Sequence, residues 1–194
     1  MTAESRSFDR STIEVAFERL AERAAAAGKL VEISVYGGAA LILTLDARPA
    51  TRDVDAVFDS DRSFIRGAAR SIAEEFGWDD TWLNDGVKGF LSAADGAPEA
   101  KRLFRTYPRA KAPSLRVFVA SPEYLFAMKS LAMRLGGAEA SQDVEDIRRL
   151  AAALGIDTAE RAIAIVARYY QSGLISPRTQ LGLEEIFAPP GKTS

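Results

Sequence analysis

Two stretches decide how this chain reads: Tyr36-Gly37-Gly38-Ala39-Ala40 and, further on, Thr51-Arg52-Asp53-Val54-Asp55. The run before the first, Val31 to Tyr36, is short, alternating and rich in β-branched residues, which predicts a strand. Gly37-Gly38 ends it. Ala39 to Leu45 is apolar all round and predicts a short buried helix. Asp53 to Phe58 predicts a second strand. A strand that runs through two glycines into a helix exposes backbone N–H groups with no side chain in the way. The helix N-terminus adds positive partial charge, so the turn suits phosphate oxygens. Asp53 and Asp55 stand two apart on a strand, which aims both carboxylates at one face, roughly 6–7 Å apart. Such a pair suits a hard divalent cation with oxygen ligands. Each piece alone also fits a tight turn or a solvated edge strand. The ordered combination is more specific, and the apolar Ala56-Val57-Phe58 that follows does not suit a solvated strand.

Working outward, Ser11 with Glu14 has capping-box spacing, and Ile13, Phe17, Leu20, Ala21 and Ala24 continue a helical stripe to Gly28. Arg62 to Phe76 predicts a second amphipathic helix, ended by Gly77. Residues 78–98 read as loop with a strand near Val87–Leu91. Lys101–Tyr107 and Leu115–Ala120 read as strands, with Pro108, Pro113 and Ser114 in the turn between them. Ser121-Pro122-Glu123 then starts a helix. Helices over Pro122–Leu135, Gln142–Leu154, Thr158–Tyr170 and Pro177–Phe187 follow, with a frayed tail from Pro189. The pattern predicts an α/β (α+β) domain over 1–120 and a helical domain over 121–190, with the active site in the cleft between them.

The composition narrows the chemistry. The 194 residues include no Cys and no His. That excludes disulfides, thiolate catalysis, cysteine–zinc sites, imidazole ligands and Ser-His-Asp triads. Carboxylates, Lys, Arg, hydroxyls and backbone amides are left to work with a hard metal. Lys and Arg number 25 against 27 Asp and Glu, which excludes a strongly basic nucleic-acid binder. No apolar run reaches the ~20 residues of a membrane span, and Met1–Thr12 lacks the apolar core of a signal peptide. The expectation is a cytoplasmic protein without membrane partners.

Gly37-Gly38-Ala39 with Arg48, Thr51, Arg52 and Asp53-Val54-Asp55 resembles the first motif of the polymerase-β-like nucleotidyltransferase superfamily. Glu123-Tyr124-Leu125-Phe126-Ala127-Met128-Lys129, Arg134, Asp143, Asp146-Ile147 and Leu150 resemble the tail of AbiEii-type nucleotidyltransferases, toxins of bacterial toxin–antitoxin and phage-defence systems. Trp82-Leu83-Asn84-Asp85 is similar to a middle segment of bacterial relatives. The likeness runs from about Val31 to Leu154. It implies a nucleotidyltransferase-like mixed sheet flanked by helices, and a reaction that moves a nucleotide from an NTP to an acceptor such as a tRNA 3′ end. It implies that Asp53 and Asp55 bind Mg²⁺ (or Mn²⁺), that Gly37 and Gly38 cradle phosphates with Arg48, Thr51 and Arg52 beside them, and that Lys129 neutralises triphosphate charge. Asp143 becomes the further acidic residue, with Asp146 and Arg134 as additional candidates. An antitoxin protein is the implied partner. The chain departs from the superfamily at Leu115–Val119, where many members carry a third carboxylate and this sequence has none. The resemblance assigns that role to Asp143. Two alternatives remain: a small-molecule acceptor of antibiotic type, and a catalytically degenerate binding module.

Other features divide between function and packing. Lys101, Arg102, Arg105, Arg109, Lys111 and Arg116, interleaved with Phe104 and Tyr107, suit either an RNA groove or a charged edge hairpin. Tyr169-Tyr170 reads as packing, and Trp78 and Trp82, near Asp79, Asp80 and Asp85, read as loop anchors.

Overall fold

The computed structural model describes residues 7–46, 48–108, 112–134 and 138–188. Arg109, Lys111, Leu135 and the tail from Pro189 lie outside the described residues. The chain divides into two compact units, one of residues 1–89 and 101–120, the other of residues 90–100 and 121–194.

In the first unit, helix α1 (Arg10–Ala26) leads into β1 (Val31–Val35), α2 (Gly37–Leu45), β2 (Val54–Phe58), α3 (Arg62–Phe76), β3 (Leu83–Asn84), β4 (Lys101–Tyr107) and β5 (Leu115–Ala120). The five strands form one mixed sheet in the order β3-β2-β1-β5-β4. β1 is parallel to β5 and antiparallel to β2, β3 is parallel to β2, and β4 is antiparallel to β5. Val31, Ile33 and Val35 alternate with polar neighbours and are buried, as are Val54, Ala56, Phe58, Leu115, Val117 and Val119. Period-2 alternation sends these to one face of the sheet, where Ile13, Phe17 and Leu20 of α1 and Ile65 and Ile72 of α3 complete the core. The other face carries Glu32, Ser34, Asp55, Arg116 and Phe118, which the register brings into rows: Glu32 beside Arg116, and Ser34 between Val57 and Phe118.

Several details differ from the sequence reading: the helix expected from Gln142 begins at Ala138, and residues 90–100 group with the second unit. The cap of α1 is Asp9, whose carboxylate accepts from the Thr12 N–H at 2.8 Å, and Ser11 is a helical residue that donates to Asp9. A two-bond bridge between Phe8 and Thr51 (N···O 2.6 and 2.9 Å) holds the chain just before that cap, so the helix starts one turn ahead of Glu14. The strand expected near Val87–Leu91 is a short 3-10 turn, Gly86–Phe90, and the strand β3 precedes it.

The second unit is built on helices α4 (Pro122–Ala132), α5 (Ala138–Leu154), α6 (Ala159–Tyr169) and α7 (Pro177–Ile186). Ser121 caps α4, with Pro122 at its first position, as the Ser-Pro-Glu signature predicts. Tyr124 and Tyr169 stack at 4.9 Å between centroids. Residues 90–100 belong here because their polar groups are satisfied by this unit. Ser92 N donates to the Tyr124 hydroxyl (2.8 Å), Ser92 Oγ donates to the Tyr169 carbonyl, and the Tyr170 hydroxyl donates to the Phe90 carbonyl (2.6 Å). Burial pushes the Tyr124 hydroxyl up to about 12 and raises Tyr170 further. No helix of the described residues is long and apolar enough to cross a membrane.

Candidate functional site

Gly37 takes φ +60°, a left-handed conformation that a Cβ would disfavour. It also stands against Asp55: a Cβ on Gly37 would lie 2.5 Å from Asp55 Oδ2. A Cβ on Gly38 would lie 2.6 Å from Thr51 Oγ1 and 3.0 Å from an Arg48 Nη1 nitrogen. The two glycines are therefore needed for contact. They let a carboxylate, a hydroxyl and a guanidinium close on the same backbone turn. The sheet register explains the approach. Tyr36 N donates to the Asp55 carbonyl at 2.9 Å, which places Asp55 directly across from the turn between β1 and α2.

The connecting loop is pinned. Thr51 is 5% exposed and fixed by its bridge to Phe8, and Arg48 Nε donates to the Ala50 carbonyl at 2.7 Å. Arg52 points to solvent beside them. Asp53 lies just before β2 and is half-buried, with Oδ2 accepting from Asn84 Nδ2 at 3.0 Å. Thus Arg48, Thr51 and Asp55 gather on Gly37 and Gly38 at the β1–α2 turn of the first unit, and Asp53 stands two residues before Asp55, against Asn84.

Lys129, Arg134, Asp143 and Asp146 gather in the second unit. Lys129 Nζ lies 2.8 Å from Asp146 Oδ2 and 3.4 Å from Asp143 Oδ1. Arg134 Nε reaches Asp143 at 3.2 Å, and Gln142 Nε2 donates to Asp146 at 3.1 Å. The i+3 spacing of Asp143 and Asp146 suits a helix surface, yet Asp146 is fully buried and Asp143 is 6% exposed. Asp146 is also the nearer partner of Lys129. The geometry of this cluster is that of a neutralised, buried ion network.

The metal question turns on donors. Among the described residues no cluster of three or more His, Cys, Asp and Glu forms. Asp55 sets a hard carboxylate against a turn that only glycine fits, and Asp53 offers a second one two residues earlier in the chain. That set matches Mg²⁺, which commonly takes one or two protein carboxylates and completes its shell with water and substrate phosphates. It does not match a self-sufficient Ca²⁺ or Zn²⁺ cage.

The basic stretch of β4 and β5 is partly spent within the unit. Arg116 donates to Glu32 at 2.8 Å, and Arg105 pairs with Glu14 at 2.9 Å. Trp82 is 1% exposed and donates its indole N–H to the Ala69 carbonyl, and Trp78 sits among Phe8, Phe76 and Trp82, so both are packing residues. The residue that the motif pattern leaves without a role is Asn84. Its position in Trp82-Leu83-Asn84-Asp85, following the Asp-x-Asp strand, was the available signal.

No family model matches this chain, and no curated protein matches it. A solved structure of an antigenic nucleotidyltransferase-like protein from Paracoccidioides brasiliensis is similar, with 14% identity and a TM-score of 0.47 over 92% of this chain and 96% of that one.

Proposed function

We propose that the chain is a metal-dependent nucleotidyltransferase that moves a nucleotide from an NTP to an acceptor hydroxyl, with an RNA 3′ end as the acceptor class, in the manner of AbiEii-type toxins. The observation that carries this reading is the closure of Asp55, Thr51 and Arg48 on the Gly37-Gly38 turn. A turn of that kind beside paired carboxylates serves a triphosphate and its divalent cation better than it serves packing.

In the proposed reaction the acceptor oxygen bonds to the α-phosphorus, the α–β phosphoanhydride bond breaks, and pyrophosphate leaves as the hydroxyl loses its proton. Asp53 and Asp55 would hold Mg²⁺, which supplies Lewis-acid polarisation of the phosphate oxygens. The Gly37-Gly38 backbone would seat the phosphates, with Thr51 and Arg48 fixing the turn and Arg52 as a further proposed contact to the nucleotide. Lys129 is the proposed cation for triphosphate charge. Asp146 and Asp143 hold its ammonium in place, and Asp143 is the proposed further acid.

The test is incubation with each labelled NTP, Mg²⁺ and either total tRNA or a panel of small hydroxylated acceptors. Label on RNA that Asp55→Ala abolishes supports the reading. Label on a nuclease-resistant small molecule moves the acceptor class. No transfer to any acceptor, with no nucleotide bound in calorimetry, overturns it in favour of a binding module.

A further inference from the structure

Asn84 touches Asp53, and nothing in the reaction proposed above assigns it a part. Both ends of its side-chain amide are hydrogen-bonded. Gly86 N donates to Asn84 Oδ1 at 2.9 Å, so the carbonyl end of the amide faces Gly86. The NH₂ end is thereby turned to Asp53 Oδ2 (3.0 Å) and, more weakly, to the Thr81 carbonyl (3.4 Å). The backbone under it is equally fixed. Register places Asn84 opposite Asp55, and Val54 N donates to the Trp82 carbonyl at 2.6 Å. Trp82 ties the segment to α3 through Ala69, and Asp85 pairs with Arg66 at 2.8 Å and with Lys88. The Lys88 hydrogen bond, with Arg66 adding to it, holds the Asp85 carboxyl below the usual carboxylate range. Asp85 is thus a charged strut whose carboxylate is already committed.

We infer that Asn84 is the positioning residue of the metal pair: it clamps one oxygen of Asp53 with a neutral amide and adds no charge to the pair. The inference rests on the reading of Asp53 and Asp55 as metal ligands. It has a consequence for the order of binding. Cation affinity in oxygen sites rises with the number of ligand charges. With an amide at position 84 the protein contributes two negative charges at this turn, and the phosphates of the incoming NTP provide the rest. The cation therefore enters with the nucleotide. A carboxylate at 84 would lie about 3 Å from Asp53, a like-charge contact that a bound cation relieves. It would draw metal into the empty site.

The experiment is Mn²⁺ titration followed by electron paramagnetic resonance, with and without a non-hydrolysable NTP analogue, on the full chain. The variants are Asn84→Ala, Asn84→Asp, Asp53→Asn and Asp55→Asn, each checked for fold by circular dichroism and melting. Wild type is expected to take up Mn²⁺ much more tightly with the analogue than without it. Asn84→Ala should weaken uptake with the analogue about tenfold, the lower end of what loss of a ligand's outer hydrogen bond costs. Asn84→Asp should tighten uptake without the analogue about tenfold. If the two Asp variants lose uptake while folded Asn84→Ala binds as wild type, the positioning role is overturned and the proposed function stands. If Asn84→Asp leaves nucleotide-free uptake unchanged, the ordered entry is overturned. If wild type takes up no Mn²⁺ under either condition, the metal-pair reading falls and the inference with it.

Discussion

The chain uses aspartate in two opposite ways. In the first unit Asp53 and Asp55 are half-buried; Asp55 crowds a glycine turn, and Asp53 accepts from an asparagine amide. In the second unit Asp143 and Asp146 are buried and bound to Lys129 and Arg134. A buried carboxylate is tolerated when its charge is matched nearby, and removal of one member leaves the other uncompensated. A half-buried carboxylate beside a glycine turn keeps part of its surface toward solvent, where a ligand can reach it. The difference separates residues whose loss should stop chemistry from residues whose loss should first loosen the fold.

Asp55→Ala tests the first half of that contrast and carries the largest expected effect. Transfer of label should fall at least about 100-fold, the scale seen when one electrostatic stabiliser of a transition state is removed, while the melting temperature stays close to wild type. A drop of many degrees, with residual activity in the folded fraction, would make Asp55 a structural residue like Asp146 in the second unit. Asp146→Ala tests the other half. Stability should fall by about 3 kcal/mol, because the partly buried Lys129 ammonium loses its nearer partner and keeps only Asp143 at 3.4 Å. For a chain of this length that is a melting shift of roughly 10 °C. Mn²⁺ uptake without nucleotide, by the protein that remains folded, should be unchanged.

The glycines sharpen the same contrast. Gly37→Ala has two costs: about 1–2 kcal/mol for an L-residue in the left-handed region, and displacement of the Asp55 carboxylate that now lies 2.5 Å from the new Cβ. Both melting and Mn²⁺-dependent nucleotide binding should suffer. Gly182→Ala in the second unit meets the Met133 methyl at 2.1 Å, the end of a flexible side chain. It should lower the melting temperature and leave nucleotide binding alone. Equal loss of binding in both variants would remove the distinction.

Much of this was legible in the sequence, and for a physical reason. α3, β4 and β5 have strong periodicity and clear stops, and their observed bounds, Arg62–Phe76, Lys101–Tyr107 and Leu115–Ala120, match the pattern reading. The mixed sheet flanked by helices, with a helical second half, follows from that order of elements. What was not legible depends on contacts distant in sequence. β3 has two residues and exists because Trp82 and Leu83 line up on Val54; no period can be read from two residues. Ser11 and Glu14 mimic a capping box, but the Phe8–Thr51 bridge decides the start of α1. The burial of Asp146 depends on Lys129, on a different helix. The gathering of Gly37, Gly38 and Asp55 was suggested by motif order, whereas the Asn84 clamp required the strand pairing to be seen.

The smallest expected effect concerns protons, and it separates the units by their tyrosines. Burial is the main cause that pushes both Tyr107 of the first unit and Tyr124 of the second up to about 12. An unfolded tyrosine titrates near 10. A folded pKa above the unfolded one means that the native state holds its proton while the unfolded state releases it. The stabilisation is therefore complete below about pH 10 and is lost as pH rises toward 12. Tyr124 has Tyr169 stacked on it, and Tyr170 close by is raised as well, so the second unit carries more of this alkaline sensitivity. Tyr124→Phe removes one titrating group along with the hydrogen bond from Ser92 N. Its absolute stability should drop at every pH. The slope of stability against pH between 10 and 12 should become shallower by up to about 1.4 kcal/mol per pH unit, the limit for one proton. Denaturant melts at half-unit pH steps read that slope directly. A Tyr124→Phe slope equal to that of wild type would show that the hydroxyl titrates alike in both states, and that its burial in the stack with Tyr169 does not hold the proton.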